Sequence, residues 1–381
     1  MVAADALRAI FRVNLGVKKN ERVLVFTDKP SKKEIIPPEN ITKRERLRDI
    51  ALLAEEAGRV FTKNIAFHQF PSVGTHGAEP PASLWERAFG ERAVKALKEE
   101  KLLSPILRKK ATPEQLERAA KIVKRHSRDA VDAVVGLSYY SSSHTTFRNF
   151  LTELCGTRYA SMPIFEAQML EGAMNVDWRA LAKRTRAVAK RVNEFGTVRI
   201  TTPGGTDLTI SKQGRRALAD TGILTRKGSF GNLPAGEVYF APLEGASQGK
   251  LVLEWAPTRE LASPITLTIK DGEVASVAGD EPYVLELEKK LSERRENRNV
   301  AELGIGTNDR ATRPDNILES EKILGTVHVA LGDSSSFGGK VKTPFHQDFV
   351  LFRPTVLLIG RDRKRLTLMR DGKLSKRAVE G

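Results

Sequence analysis

Arg22-Val23-Leu24-Val25-Phe26-Thr27 is the stretch on which the reading of the fold turns. It is a short apolar run with β-branched residues, the pattern of a buried strand. Beyond it, Thr42 to Gly58 (TKRERLRDIALLAEEAG) spaces its apolar residues as a helix does and stops at a glycine. The alternation continues: Val60 to Phe67 reads as a second strand and Leu84 to Lys101 as a helix. Thr112-Pro113-Glu114-Gln115 reads as an N-cap with proline at the first helical position, opening a helix toward Arg125. Val131 to Leu137 (VDAVVGL) is a third strand, followed by a polar turn and a helix around Phe147 to Leu154. Strand and helix in alternation argue for a parallel sheet with helices on its faces.

The character changes after a helix over Asp177 to Asn193. Pro203-Gly204-Gly205 lies between two strand-like runs, Asp271-Gly272 separates ITLTIK from EVASVAG, and Asp371-Gly372 repeats that hairpin signature. One long helix, Tyr283 to Arg298, interrupts them. The expected fold class is therefore an α/β N-terminal domain with a parallel sheet, residues 1–190, followed by an α+β, mostly antiparallel C-terminal domain, residues 191–381.

Composition agrees with two such domains: 381 residues at roughly 100–200 per domain, with 40% hydrophobic residues, enough for ordinary cores. The single cysteine, Cys155, excludes a disulfide scaffold and a thiolate zinc ribbon and reads as a packed thiol. The opening stretch MVAADALRAIFRVNLG lacks a signal-peptide pattern, and no apolar run approaches the roughly 20 residues that cross a bilayer, so a soluble, cytoplasmic protein without a membrane partner is expected. The formal net charge is +16. The basic residues are scattered (KRERLR at 43–48, RKK at 108–110, KIVKRHSR at 121–128, RDRKR at 361–365), mostly in helices beside acidic neighbours, which suits solvated faces rather than a nucleic-acid partner.

Several local motifs are absent: a phosphate loop, H-E-x-x-H, C-x-x-C and a dinucleotide fingerprint. What remains is a histidine and carboxylate pattern in the second half. His328 interrupts the apolar β run Thr326 to Leu331, and His346 and Asp348 stand two apart, which on a strand puts both side chains on one face. Such a pair can bind a divalent ion, and the short connection Gly332 to Pro344 brings His328 near it. Glu237 and Glu302 each stand at the entrance of an apolar strand. A histidine in a strand is more often a hydrogen-bonded core residue than a ligand, and either glutamate alone is an ordinary strand-end carboxylate. Tyr139 to His144 follows a strand where open α/β sheets bind ligands, and reads as a polar turn with His144 as a cap. His68, His76 and His126 read as surface or loop residues.

At TPGGTDL (202–208), NLPAGEVYFAP (232–242), ELGIGTN (302–308), EKILGTVHVALG (321–332) and FHQDFV (345–350) the chain resembles the thermophilic metallo-aminopeptidase family typified by aminopeptidase T. The blocks keep the family's order and cover most of the second half. The resemblance implies that Glu237, Glu302, His328, His346 and Asp348 bind two divalent ions (zinc, cobalt or manganese), with Glu302 the candidate bridging carboxylate that helps hold or deprotonate a water. It implies a homodimer whose metal-activated water attacks a peptide or small amide carbonyl. One departure stands out: the family's tyrosine a few residues after the histidine is missing from Gly332 to Gly339. If it stabilises an oxyanion, a donor worth about 10²–10³ in rate goes with it. The family in turn resembles a ring-cleaving dihydroxypyridine dioxygenase, for which His328, His346 and Asp348 would hold one iron(II). On this reading, retention of Glu237 and Glu302 favours the two-ion hydrolase. A non-catalytic basic binding protein on the same fold is a third possibility.

Overall fold

The computed structural model describes residues 2–31, 34–360 and 364–379, so most of the RDRKR cluster lies outside the described residues. The chain forms two compact units, Met1–Asn175 with Gly222–Pro234, and Val176–Thr221 with Ala235–Gly381.

The first unit carries a five-stranded sheet in the order Ile65–Pro71, Val23–Lys29, Ala133–Gly136, Arg158–Ser161, Phe230–Asn232. Every neighbouring pair is parallel. The strand around Val25 is buried along almost its whole length, as an apolar run flanked on both faces requires. Against one face packs an aromatic core in which Phe26, Trp85, Phe89, Phe147 and Tyr159 are all buried. Trp85 and Phe89 stack with centroids 4.8 Å apart.

Two local expectations shift. The helix expected over 84–101 is two, Ala82–Phe89 and Glu91–Glu99, because Gly90 adopts φ +84° and a side chain there would meet Asp129. The second strand starts at Ile65 rather than Val60, because Val60 lies in the exposed turn that follows the helix Pro38–Gly58. The 112–125 helix forms as read, with a reciprocal cap: the Gln115 N–H donates to Thr112 Oγ1 (3.2 Å) and the Thr112 N–H to Gln115 Oε1 (2.9 Å). In the turn after Gly136, Thr145 rather than His144 caps the next helix, its hydroxyl accepting from the Arg148 N–H.

The second unit holds two antiparallel sheets. The larger has eight strands, and its hairpins turn at Pro203-Gly204-Gly205, Asp271-Gly272 and Asp371-Gly372 as the sequence indicates. Asp271 and Gly272 both take positive φ, the backbone a tight two-residue hairpin demands. The smaller sheet runs in the order His346–Leu351, Val327–Gly332, Val300–Gly306, Glu237–Phe240, Leu218–Asp220. Alternation along its strands sorts the side chains by face. Val238, Phe240, Leu303, Ile305, Val327, Val329, Leu331, Phe349 and Leu351 all enter one hydrophobic core. Their neighbours in sequence face the other way and form the site described below.

The expected parallel α/β part and mostly antiparallel α+β part are both present. Among the described residues no helix is long and apolar enough to cross a membrane. Many of the scattered basic side chains sit beside acids on exposed helical faces, among them Lys98 with Glu86, Arg118 with Glu100 and Lys121 with Glu117.

Candidate metal centre

Register in the smaller sheet decides which side chains meet. Residues opposite one another in an antiparallel pair point to the same face. Ala330 lies opposite Glu302 on one side and Asp348 on the other; His328 lies opposite Gly304; Gly332 lies opposite His346; and Gly306 lies opposite Glu237. All five residues singled out in the sequence therefore project from one face of one sheet. The positions between them are glycine or alanine, which leaves room for the larger side chains. At Gly304 this is a strict requirement: a Cβ there would lie 1.9 Å from Cε1 of His328 and 2.0 Å from its Nε2.

A bulge aims Glu302. Val300 pairs with Leu331 and Glu302 with the next residue, Ala330, so Ala301 is the extra residue. In a regular strand Val300 and Glu302, two apart, would share one face; the extra residue lets Val300 enter the core while Glu302 stays on the site face.

The carboxylates and imidazoles converge. Nε2 of His328 is 3.3 Å from Glu237, 3.5 Å from Glu302 and 4.0 Å from Asp348. Nε2 of His346 is 3.6 Å from Glu302 and 3.5 Å from Asp348. Glu302 and Asp348 thus each face both imidazoles, whereas Glu237 reaches only His328. Single donor atoms of Glu237, Glu302 and His328, and of Glu302, His346 and Asp348, form two groups in which all atoms lie within 4.8 Å of one another. Glu302, the candidate bridging residue, belongs to both.

Hydrogen bonds orient the ligating atoms. His346 Nδ1 is 2.8 Å from the Asp333 carbonyl oxygen. A carbonyl only accepts, so that nitrogen carries the proton and Nε2 turns an unprotonated lone pair to the cluster when the ring is neutral. Glu237 Oε2 and Asp348 Oδ1 are buried without a hydrogen-bond partner. Buried carboxylate oxygens left bare beside imidazole nitrogens, with no thiolate, form a donor set that fits a divalent cation of borderline or hard character.

Electrostatics points the same way. Burial opposes ionisation of Glu302 and raises it above the ordinary carboxylate range, and the charge of Asp348 adds to this. Burial also works against the imidazolium forms, but the surrounding carboxylates outweigh it and lift His328 to about 9 and His346 to about 10. Asp348 stays well below the usual carboxylate range despite its burial, because the imidazoles face it. The cluster draws positive charge strongly.

Three further residues border the cluster and went unassigned in the sequence. Lys322 is fully buried, its Nζ 2.6 Å from Glu237 Oε1 and 2.7 Å from Glu321 Oε2. Both Glu321 and Lys322 open the block EKILGTVHVALG, where a charged pair before an apolar strand looks like an ordinary solvated entrance. Phe337 stands in the segment that lacks the family tyrosine. Its ring lies edge-on to His346 at 6.0 Å and to Tyr239 at 5.9 Å, an aromatic border beside the donors. The other histidines belong to the first unit, where His76 Nδ1 accepts from the Ser141 N–H, His68 meets Ser83, and His126 sits by Asp129.

The sequence profile of the family described as NicX, 2,5-dihydroxypyridine 5,6-dioxygenase, matches residues 155–374, more than half of the chain and all of the site strands. The chain belongs to this family. A solved structure of 2,5-dihydroxypyridine dioxygenase from Pseudomonas putida KT2440 superposes with TM-score 0.69 at 17% identity, over 98% of this chain and 97% of that one. AmpT from Thermus thermophilus superposes with TM-score 0.55 at 18% identity, over 98% of both chains. No curated protein matches the chain in sequence. The scaffold is thus the aminopeptidase T-like fold, shared with a dioxygenase.

The family match corrects the expectation of a metallo-aminopeptidase, and with it that of zinc or cobalt hydrolysis: it points to an oxidoreductase. The physical reason for the error is plain. Imidazole and carboxylate donors serve Lewis-acid hydrolysis and oxygen chemistry alike, and the difference lies in the ion and the substrate rather than in ligand spacing.

Proposed function

We propose that the protein is a ring-cleaving dioxygenase that uses one iron(II) ion and acts on a hydroxylated, electron-rich aromatic ring such as 2,5-dihydroxypyridine. The observation that carries this reading is the convergence of His328, His346 and Asp348 on one sheet face within the segment that matches the dioxygenase family. Two imidazoles and one carboxylate are the donor set of non-haem iron(II) oxygenases.

His328, His346 and Asp348 would hold the ion, with Glu302 alongside. Bound iron(II) supplies the one-electron chemistry that lets dioxygen react with the ring. The remaining tasks belong to the chain. The Asp333 carbonyl fixes the tautomer and orientation of His346. Glu302, whose carboxylate is made more basic by burial, accepts a proton from a ring hydroxyl at its carboxylate oxygen. Phe337 and Tyr239 offer aromatic surface to a planar substrate.

The test is anaerobic reconstitution with iron(II), followed by 2,5-dihydroxypyridine and ¹⁸O₂. The expected result is oxygen uptake, loss of the ring absorbance and both labelled atoms in the opened product. His346→Ala or Asp348→Ala should bind no iron and consume no oxygen. An iron-loaded protein that takes up no oxygen with dihydroxylated aromatic rings would sink the reading.

A further inference from the structure

A lysine with its side chain about 1% exposed is exceptional and needs anionic partners. Lys322 hydrogen-bonds two, Glu237 Oε1 at 2.6 Å and Glu321 Oε2 at 2.7 Å, and the charge of Asp220 also acts on it. The lysine cannot easily withdraw, because its backbone is held at both ends: its N–H donates to the Glu319 carbonyl and its carbonyl accepts from the Asn308 N–H, each at 2.9 Å.

The two donor groups of the site are unequal for this reason. In the group of Glu302, His346 and Asp348, both carboxylates face both imidazoles. In the group of Glu237, Glu302 and His328, the glutamate that defines it already holds an ammonium. A divalent ion ligated by Glu237 would share that carboxylate with Lys322, and like-charge repulsion is strong where solvent is excluded.

Resting on the metal-centre reading above, we propose that the Lys322 ammonium is the second cation of the site, so that the centre takes one divalent ion and Glu237 serves as a positioning residue rather than a ligand. Lys322 then does permanently, with one charge, part of what a second metal ion would do: it pairs with both Glu237 and Glu321 in the interior of the fold.

The test uses the full chain, treated with chelator and titrated with cobalt(II) alone; bound metal is counted by elemental analysis and ligation is followed by the d–d absorption. The wild type is expected to take one ion. Glu237→Gln, which keeps a hydrogen-bond acceptor for Lys322, is expected to take one ion with an unchanged spectrum and an affinity within about tenfold, the lower range for outer partners of a ligand set. Lys322→Met strands two carboxylates and is expected to take a second ion, whereas Lys322→Arg keeps the count at one. Two ions on the wild type overturn the Lys322 assignment while leaving a metal centre in place. An altered spectrum with lost binding in Glu237→Gln overturns it too, as does a folded Lys322→Met that takes only one ion. No ion on the wild type overturns this assignment and the iron reading together. Should Lys322→Met fail to fold, the wild-type count and Glu237→Gln still decide.

Discussion

Gly304 has no side chain, and the site depends on that. The His328 ring fills the space its Cβ would take, at 1.9 Å. Gly304→Ala should displace the imidazole, lower cobalt(II) affinity by about 100-fold and destabilise the fold by about 1–3 kcal/mol, as overpacking does. Metal titration and denaturant melts check this, and unchanged affinity would show that His328 is not a ligand. A second expectation at this scale concerns protons. Burial disfavours the charged rings, but the carboxylates prevail and hold His328 and His346 protonated up to about 9 and about 10. An ion needs the neutral ring, so binding near neutral pH must release protons and weaken as pH falls, by up to about tenfold per unit for each imidazole. Calorimetry in buffers of different ionisation enthalpy reads the release directly; affinity that does not change between about pH 6 and 8 would contradict it. In chelator-treated protein the sign for stability is the reverse. The raised imidazoles stabilise the fold below their unfolded value of about 6.5, and that contribution is lost as pH rises through 9 to 10. The five clustered residues were legible because H-x-D spacing on a strand and the flanking blocks point to them. Lys322 was not, since burial of a lysine is a tertiary fact that no local pattern announces.

At the scale of elements, local rules succeeded where one signal dominated. The Thr112 cap is such a case, and Thr112→Ala should cost about 1 kcal/mol in urea unfolding with little change in slope; a variant as stable as the wild type would mean the cap is redundant. The hairpins at 203–205, 271–272 and 371–372 were legible for the same reason, since aspartate or glycine tolerates the backbone those turns need. What failed to show was non-local. Gly90 breaks one apparent helix in two because Asp129 packs against it, nearly forty residues along the chain. The bulge at Ala301 shows only in the pairing of Val300 and Glu302 with adjacent residues of the next strand. The return of Phe230–Asn232 to the parallel sheet of the first unit gave no composition signal at all.

For the whole molecule, every candidate ligand lies in the unit made of Val176–Thr221 and Ala235–Gly381. Bound metal should therefore raise the thermal stability of that unit, by about 2.7 kcal/mol at a hundredfold excess over Kd, and His346→Ala should abolish the gain. Calorimetry with and without cobalt(II) checks this; an equal gain in His346→Ala would place the ion elsewhere. Fold class was readable at this scale because alternation and hairpin signals accumulate over many elements. The reaction was not, because the same nitrogen and oxygen donors suit water activation and oxygen activation.

The smaller sheet has a further consequence for how such proteins diverge. Its greasy side is anchored to the interior while its reactive side is spaced by residues of minimal bulk, so the foundation and the chemistry are mutated almost independently. Exchanging an acid for a neutral group, or a fixed organic cation for a mineral one, rewrites the reactive inventory and leaves the foundation untouched. Two catalysts of unlike trade can thus keep one architecture long after their sequences have drifted apart.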